Sequence, residues 1–469
     1  MRSIVWFRGK DLRLADHPPL CEAAAGGEVL PLFVLDPFFF SPERARDLPH
    51  RMQFLLGSLR ELEAGLARLG SGLLLVSGRS VDVVPRLAQQ WKVDQVLAHA
   101  WVEPFGRERD RQVGEALGRV GIDFRLFAGA TLLPPGSVRN GQGAMFRVFT
   151  PFARACGARL GLEKALAEPV ALPPPPAVVP IDTVPIPSMA DLGLVPNAGL
   201  QSGGEREARN RLGAFFAGPI AAYGTDRDRM DRPGTSRLSA DLKFGTLSVR
   251  TIWQVAGASG GGEGLGRFRN ELLWREFSHH LLWEWPELLE QPFRKGFEGF
   301  PWRADDQGWH AWTEGRTGYP VVDAAARQLL AEGFVHNRAR MVAASFLTKH
   351  LLIDYRLGEA HYMKWLADGD WAPNNAGWQW SAGCGCDAQP WFRIFNPVAQ
   401  GLKFDPEGAY VRRWVPELAA CPDAFIHQPW KAPKALRERL DYPEPIVDHA
   451  WARERFLATA KRHLRSGTP

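Results

Sequence analysis

The chain has 469 residues, 45% of them hydrophobic, and carries 57 Lys and Arg against 52 Asp and Glu, a net charge of +5. This length exceeds a single core and implies two or three domains of a soluble globular protein, with a basic excess that permits a polyanionic partner without requiring one. No apolar run reaches the roughly 20 residues of a membrane span, no charged-then-apolar leader opens the chain, and five scattered cysteines suit reduced thiols, so a cytoplasmic location is expected.

Residues 2–7 (RSIVWF) read as a short buried strand running into a loop, RGKDLRLADHPPL. Strand-like EVLPLFVLD is followed by helical spacing from Pro49 to Gly70, strand-like LLLVSG by a helix from Val81 to Trp91, and DQVLAHA by a helix from Arg107 to Val120, before a last strand, DFRLFAG. Apolar strands alternating with amphipathic helices predict a doubly wound α/β domain with a parallel sheet, over about residues 1–130. No GxGxxG follows the first strand, so the usual dinucleotide fingerprint is absent. Residues 131–204 read as an interdomain linker whose proline-dense part, 168–187, favours extended chain. From Glu205 to the end the pattern is helical, and 15 of the 18 tryptophans follow the linker.

Four stretches of this second half carry candidate chemistry. GTSRLS (234–239), with Tyr223 upstream, places hydroxyls and backbone amides in a turn before a helix, which suits either a phosphate nest or an ordinary capped helix start. In NELLWREF (270–277), Glu271, Trp274 and Arg275 stand at i, i+3 and i+4 and share one helical face, a poor composition for a core. In HNRARM (336–341), Asn337, Arg340 and Met341 share a face while Arg338 points elsewhere. The plain alternatives are a solvated pair and a basic surface helix. DGDWAPNNAGWQW (368–380) sets two carboxylates and two adjacent amides among tryptophans, as expected around a flat ligand with polar edges, and Asp368 or Asp370 is the natural partner of Arg340. Cys384 and Cys386 have no second Cys or His pair nearby, so no metal site is expected.

Together with FRIFNPVAQGLKFD and the opening VWFRGKDLRLADHPPL, these motifs resemble the photolyase/cryptochrome family over almost the whole chain, and within it the class I-like enzymes that act on cyclobutane pyrimidine dimers. The resemblance implies an α/β antenna domain followed by an all-helical domain (205–469) holding a U-shaped FAD. It assigns Tyr223, Thr235, Ser236, Arg237, Leu238, Ser239 and Arg275 to the cofactor's phosphate and ribityl side. Asn337 is similar to a flavin- and adenine-side contact, the Arg340–Asp368 pair would lie over the isoalloxazine, Asp370 near the sugar, and Asn374 opposite flavin N5. Glu271 matches the carboxyl that hydrogen-bonds the dimer; Trp274, Asn337, Met341 and Trp380 match its pocket, and Arg338 would grip flanking phosphate. Asn337 and Met341 stand where relatives acting on (6-4) photoproducts resemble one another in having histidine, which favours the cyclobutane dimer.

The same resemblance implies light-driven repair of damaged DNA by a monomer; the rivals are a cryptochrome-type photosensor and an electron-transfer flavoprotein without light function. Phe105-Gly106 replaces the Asn-Glu pair of folate-binding members, while Arg51, Glu103 and Lys243 resemble a deazaflavin site. An 8-hydroxy-deazaflavin antenna is therefore expected ahead of folate. Trp101 stands where deazaflavin-binding members carry a carboxylate, which keeps FMN, or no antenna, open. Trp378 and Trp302 match the ends of the family's tryptophan electron chain, but the middle position is Tyr355, which predicts slow photoreduction or a detour through Trp371.

Overall fold

The computed structural model describes residues 1–161, 164–174 and 183–466. Five strands, β1 (Arg2–Phe7), β2 (Glu28–Leu35), β3 (Leu74–Ser77), β4 (Gln95–His99) and β5 (Asp123–Phe127), pair in parallel in the order β3-β2-β1-β4-β5. Continuous apolar runs make this arrangement: β1, β2 and β4 are buried almost throughout, as strands covered on both faces must be. β5, at the edge, is largely exposed. The chain builds outward from β1 to β3, then returns to the other side of β1 with β4. In such sheets the crevice at this reversal, beyond the strands' carboxyl ends, is where ligands bind.

The stretch read as a linker is not featureless. Helix Phe149–Arg159 lies within it and packs Phe152 against Phe277. Leu172 and Val184 each donate a backbone hydrogen bond to the sheet half, while 175–182, the middle of the proline-dense part, lie outside the described residues.

The helical half is organised around Glu263–Glu284, 22 residues with buried side chains on every side in its second half. Buried Glu276 accepts the backbone amides of Leu132 and Leu133 at 2.8 and 2.9 Å, and Arg275 donates to the Ala130 carbonyl at 2.6 Å. These contacts fix the rotation of the helix and turn Glu271 and Trp274 toward one cavity. A second seam forms at Gly245, which ends helix Ser239–Phe244 with φ 63°; a Cβ there would sit 1.9 Å from the Lys10 carbonyl, so only glycine permits the approach. The seam carries Lys243 and Lys10 into the same space. Among the described residues, no helix is long and apolar enough to cross a membrane.

Candidate active site

A cavity of about 550 Å³ opens into the helical half. Tyr223, the 235–239 turn, Glu271, Trp274, Arg275, Asn337, Arg340, Met341, Asp368, Asp370, Asn374, Trp378 and Trp380 all line it. Arg237 holds the turn in a left-handed conformation (φ 53°), with its guanidinium on Glu332 at 3.0 Å and over the Phe334 ring. Arg340 donates to both Asp368 oxygens, at 2.7 and 3.1 Å, and to the Val335 carbonyl at 2.8 Å.

Asp370, 5% exposed, is met by Lys10 at 3.2 Å, His279 at 3.3 Å and Arg275 at 3.8 Å. Burial alone would raise its affinity for a proton, yet Lys10, His279 and Arg275 together hold the carboxyl well below the ordinary range. Its Oδ2 is approached by His279 and Arg275 without a well-aligned hydrogen bond from either, so it keeps capacity to accept from a ligand hydroxyl. Asn374, which lines the cavity, donates its amide to the Glu359 backbone carbonyl at 3.2 Å. Trp274 is stacked on Phe149 with centroids 3.7 Å apart, making one flat wall. Glu271 is ion-paired with Arg227, which also lines the cavity.

A second cavity, about 230 Å³, lies between the sheet half and the helical half at the sheet's reversal point. Arg51, Glu103 and Lys243 line it with Phe38, Phe39, Phe105, Trp101 and Trp371. Lys10 pairs with Glu103 and thereby joins the two cavities, because Asp370 borders both. Burial first, then Arg51 and Lys10, pull the Lys243 ammonium well below its usual range. Its Nζ lies 3.4 Å from the Phe244 ring centre, and an anion entering this cavity would favour its charged form.

A family model described as DNA photolyase matches residues 3–176, and one described as FAD binding domain of DNA photolyase matches 268–462. A deoxyribodipyrimidine photo-lyase of Agrobacterium fabrum is 39% identical, covering 97% of this chain and 96% of its own. The chain belongs to the photolyase/cryptochrome family. Among solved photolyase structures it is similar to a bacterial class III photolyase from Agrobacterium tumefaciens (37% identity, TM-score 0.91, covering 99% and 98% of the two chains). It is also similar to a Synechocystis cryptochrome (30%, 0.89, covering 98% and 99%) and to an archaeal photolyase from Sulfolobus tokodaii with two FAD molecules (30%, 0.85, covering 98% and 100%).

The structure places the remaining expected residues of this photolyase-family chain as follows. Arg338 points away from the cavity, as its helical spacing implies; its guanidinium meets Asp228 at 2.8 Å and lies over Phe404. The ring of Trp371 faces Phe105 in the second cavity. The ring neighbours of Trp378 are instead Tyr362 (5.2 Å) and Trp312 (6.0 Å), and Trp312 stacks on half-buried Trp309 at 5.7 Å. Tyr355 packs on Trp302 at 6.4 Å, away from the cavity lining.

Sequence reasoning also missed Lys10, Arg227 and His279, which hold the cavity's carboxylates. The only local signal was the unusual charge density of RGKDLRLAD and DRDRMDR. A buried trio, Asp11, His17 and His99, has metal-ligand spacing, but His17 Nδ1 accepts the Leu20 amide at 3.1 Å, so its free nitrogen carries the proton and is no donor to a metal.

Proposed function

We propose that the protein repairs cyclobutane pyrimidine dimers in DNA under light. The observation that carries this reading is the convergence of Glu271, Trp274, Met341 and Trp380 on one cavity with the residues matched to flavin contacts. Those residues fit FAD chemically. Arg275 and the 235–239 turn offer donors for phosphates, Asp370 an acceptor for a sugar hydroxyl, and Arg340 paired with Asp368 a polar edge for the ring. FAD, when bound and reduced, supplies on excitation the electron that opens the cyclobutane ring, and takes it back. Around that chemistry Trp274, braced by Phe149, and Trp380 would stack the dimer, which must leave the duplex to reach them. Glu271, held in place by Arg227, would orient the dimer by hydrogen bonding and stabilise its anion. Glu271→Ala is expected to lower repair of a dimer-bearing oligonucleotide by roughly 10- to 100-fold at limiting concentration, the worth of a hydrogen bond to a charged group, with flavin still bound. Full repair yield in that variant would remove Glu271 from the reading.

The similarity to a cryptochrome supports a second reading, a blue-light sensor without repair. Illuminating the purified protein with a thymine-dimer oligonucleotide separates the two, since only repair restores thymine absorbance.

For the second cavity we propose an 8-hydroxy-deazaflavin antenna. The aromatic lining suits a tricyclic ring, and a relative that carries two FAD molecules supports an occupant of flavin type. Lys243, whose ammonium burial disfavours, would neutralise the deprotonated hydroxyl beside Arg51 and the Lys10–Glu103 pair. Lys243→Ala is expected to weaken deazaflavin binding by roughly 10-fold or more, read by titration calorimetry against the wild type. Stoichiometric folate in protein from its native source, with no deazaflavin uptake, would defeat this assignment.

A further inference from the structure

Residues 226–232, DRDRMDR, alternate acids and bases beside the first cavity. Their basic groups are all engaged: Arg227 with Glu271, Arg229 with Asp231, and Arg232 with Asp226 at 3.0 Å. Arg338 reaches this loop from helix Asn337–Ser345 and meets Asp228 at 2.8 Å. That pair differs from the others in how it is built. The Arg338 side chain is 16% exposed, rests 4.3 Å over Phe404, and has its Nε buried without a partner, whereas Asp228 keeps 36% of its side chain exposed. The cation is packed in place against Phe404, and the acid is the more accessible partner.

A carboxylate and a phosphate make the same charge-assisted contacts to a guanidinium. We propose that Asp228 mimics a DNA phosphate. It occupies Arg338 in the free protein and must be displaced before Arg338 can hold the backbone. The inference rests on the reading that the protein binds DNA at this face. Since the charge of Arg338 is already neutralised by Asp228, a phosphate that replaces Asp228 exchanges one anion for another and gains little from counterion release. Asp228 thereby lowers affinity for duplex of any sequence and shortens the stay on undamaged DNA.

The test is binding in the dark by the full flavin-loaded protein, on an undamaged duplex and on the same duplex with one thymine dimer, at several salt concentrations. Wild type, Asp228→Asn, Arg338→Ala and the double variant are compared. Asp228→Asn is expected to tighten binding to both duplexes by the same factor, about three- to fivefold, as for one partly exposed ion pair, and to steepen the salt dependence by about one unit. Both changes should vanish in the Arg338→Ala background. A gain that persists there would mean that Asp228 acts only by general repulsion, and unchanged or weaker binding by Asp228→Asn would make the pair structural; either overturns the proposal. A wild type without preference for the dimer would defeat the repair reading instead, while the undamaged duplex still decides the role of Asp228.

Discussion

Trp378→Phe is expected to abolish light-driven reduction of the bound flavin, whereas Tyr355→Phe should remove only part of it. Trp378 is the buried indole on the cavity wall, and an electron drawn from it leaves a hole that has to move outward before recombination. Two exits differ in chemistry. Toward Trp302 the intermediate is Tyr355, whose hydroxyl is buried without a partner and whose phenol is held far above its usual range by burial, then by Cys384 and Glu359. An oxidised tyrosine must hand over its proton, and the nearby acceptors are poor. Asp354 is engaged by Arg356, and burial raises the Glu359 carboxyl to about 8, despite its hydrogen bonds from Asn375. Below that pH Glu359 carries its own proton and cannot take another; above it the carboxylate is free to accept. The other exit, Trp312 and then Trp309, is made of indoles in ring contact and needs no base. Trp309→Phe should therefore slow photoreduction most at neutral pH, and the share that depends on Tyr355 should grow as pH rises through about 8. Flavin bleaching under blue light with an external thiol, across pH, measures all of this. Wild-type rates in Trp309→Phe at every pH would exclude the indole exit, and a Tyr355→Phe profile parallel to wild type would exclude the tyrosine one.

Arg340→Ala is expected to lose most of its flavin on purification and to unfold at lower temperature. The variant leaves Asp368, 6% exposed, as a buried charge without its partner, a situation that costs about 3–5 kcal/mol when burial is complete and less here because Arg340 keeps 26% of its side chain exposed. Arg340→Ala combined with Asp368→Asn should be milder than Arg340→Ala alone, since no charge is then stranded. Thermal release of flavin fluorescence reads the order of the three proteins. If Arg340→Ala retains cofactor and melts like wild type, the pair is incidental to the cavity.

The faces of Glu263–Glu284 and Asn337–Ser345 were legible because helical spacing alone decides which side chains share a side, and Glu271, Trp274 and Arg275 do line one cavity. The sheet was legible for a similar reason: uninterrupted apolar runs have nowhere to go but a covered parallel sheet. What escaped was whatever depends on chain segments far apart. Nothing local in RGKDLRLAD says that Lys10 reaches Asp370, 360 residues on. Arg338 reads as a free cation until Asp228 is found beside it. Lys243 reads as a charge until its burial is known. Trp371 is nearer than Trp312 to Trp378 along the chain, yet the ring contact goes to Trp312, because helix Asp306–Glu314 crosses where sequence distance has no meaning.

The Lys10–Asp370 contact also limits how the halves of such proteins can be recombined. An isolated helical half would keep Asp370 beside Arg275 and His279 but lose Lys10, the closest of its three nitrogen partners, and an isolated sheet half would strand Lys10 next to Glu103 alone. A chimera that takes its first half from a relative must therefore bring a cation at position 10 and a backbone that tolerates the bare approach of Gly245. Mixing the sheet half of one lineage with the helical half of another is restricted by these two positions before the contents of either cavity matter.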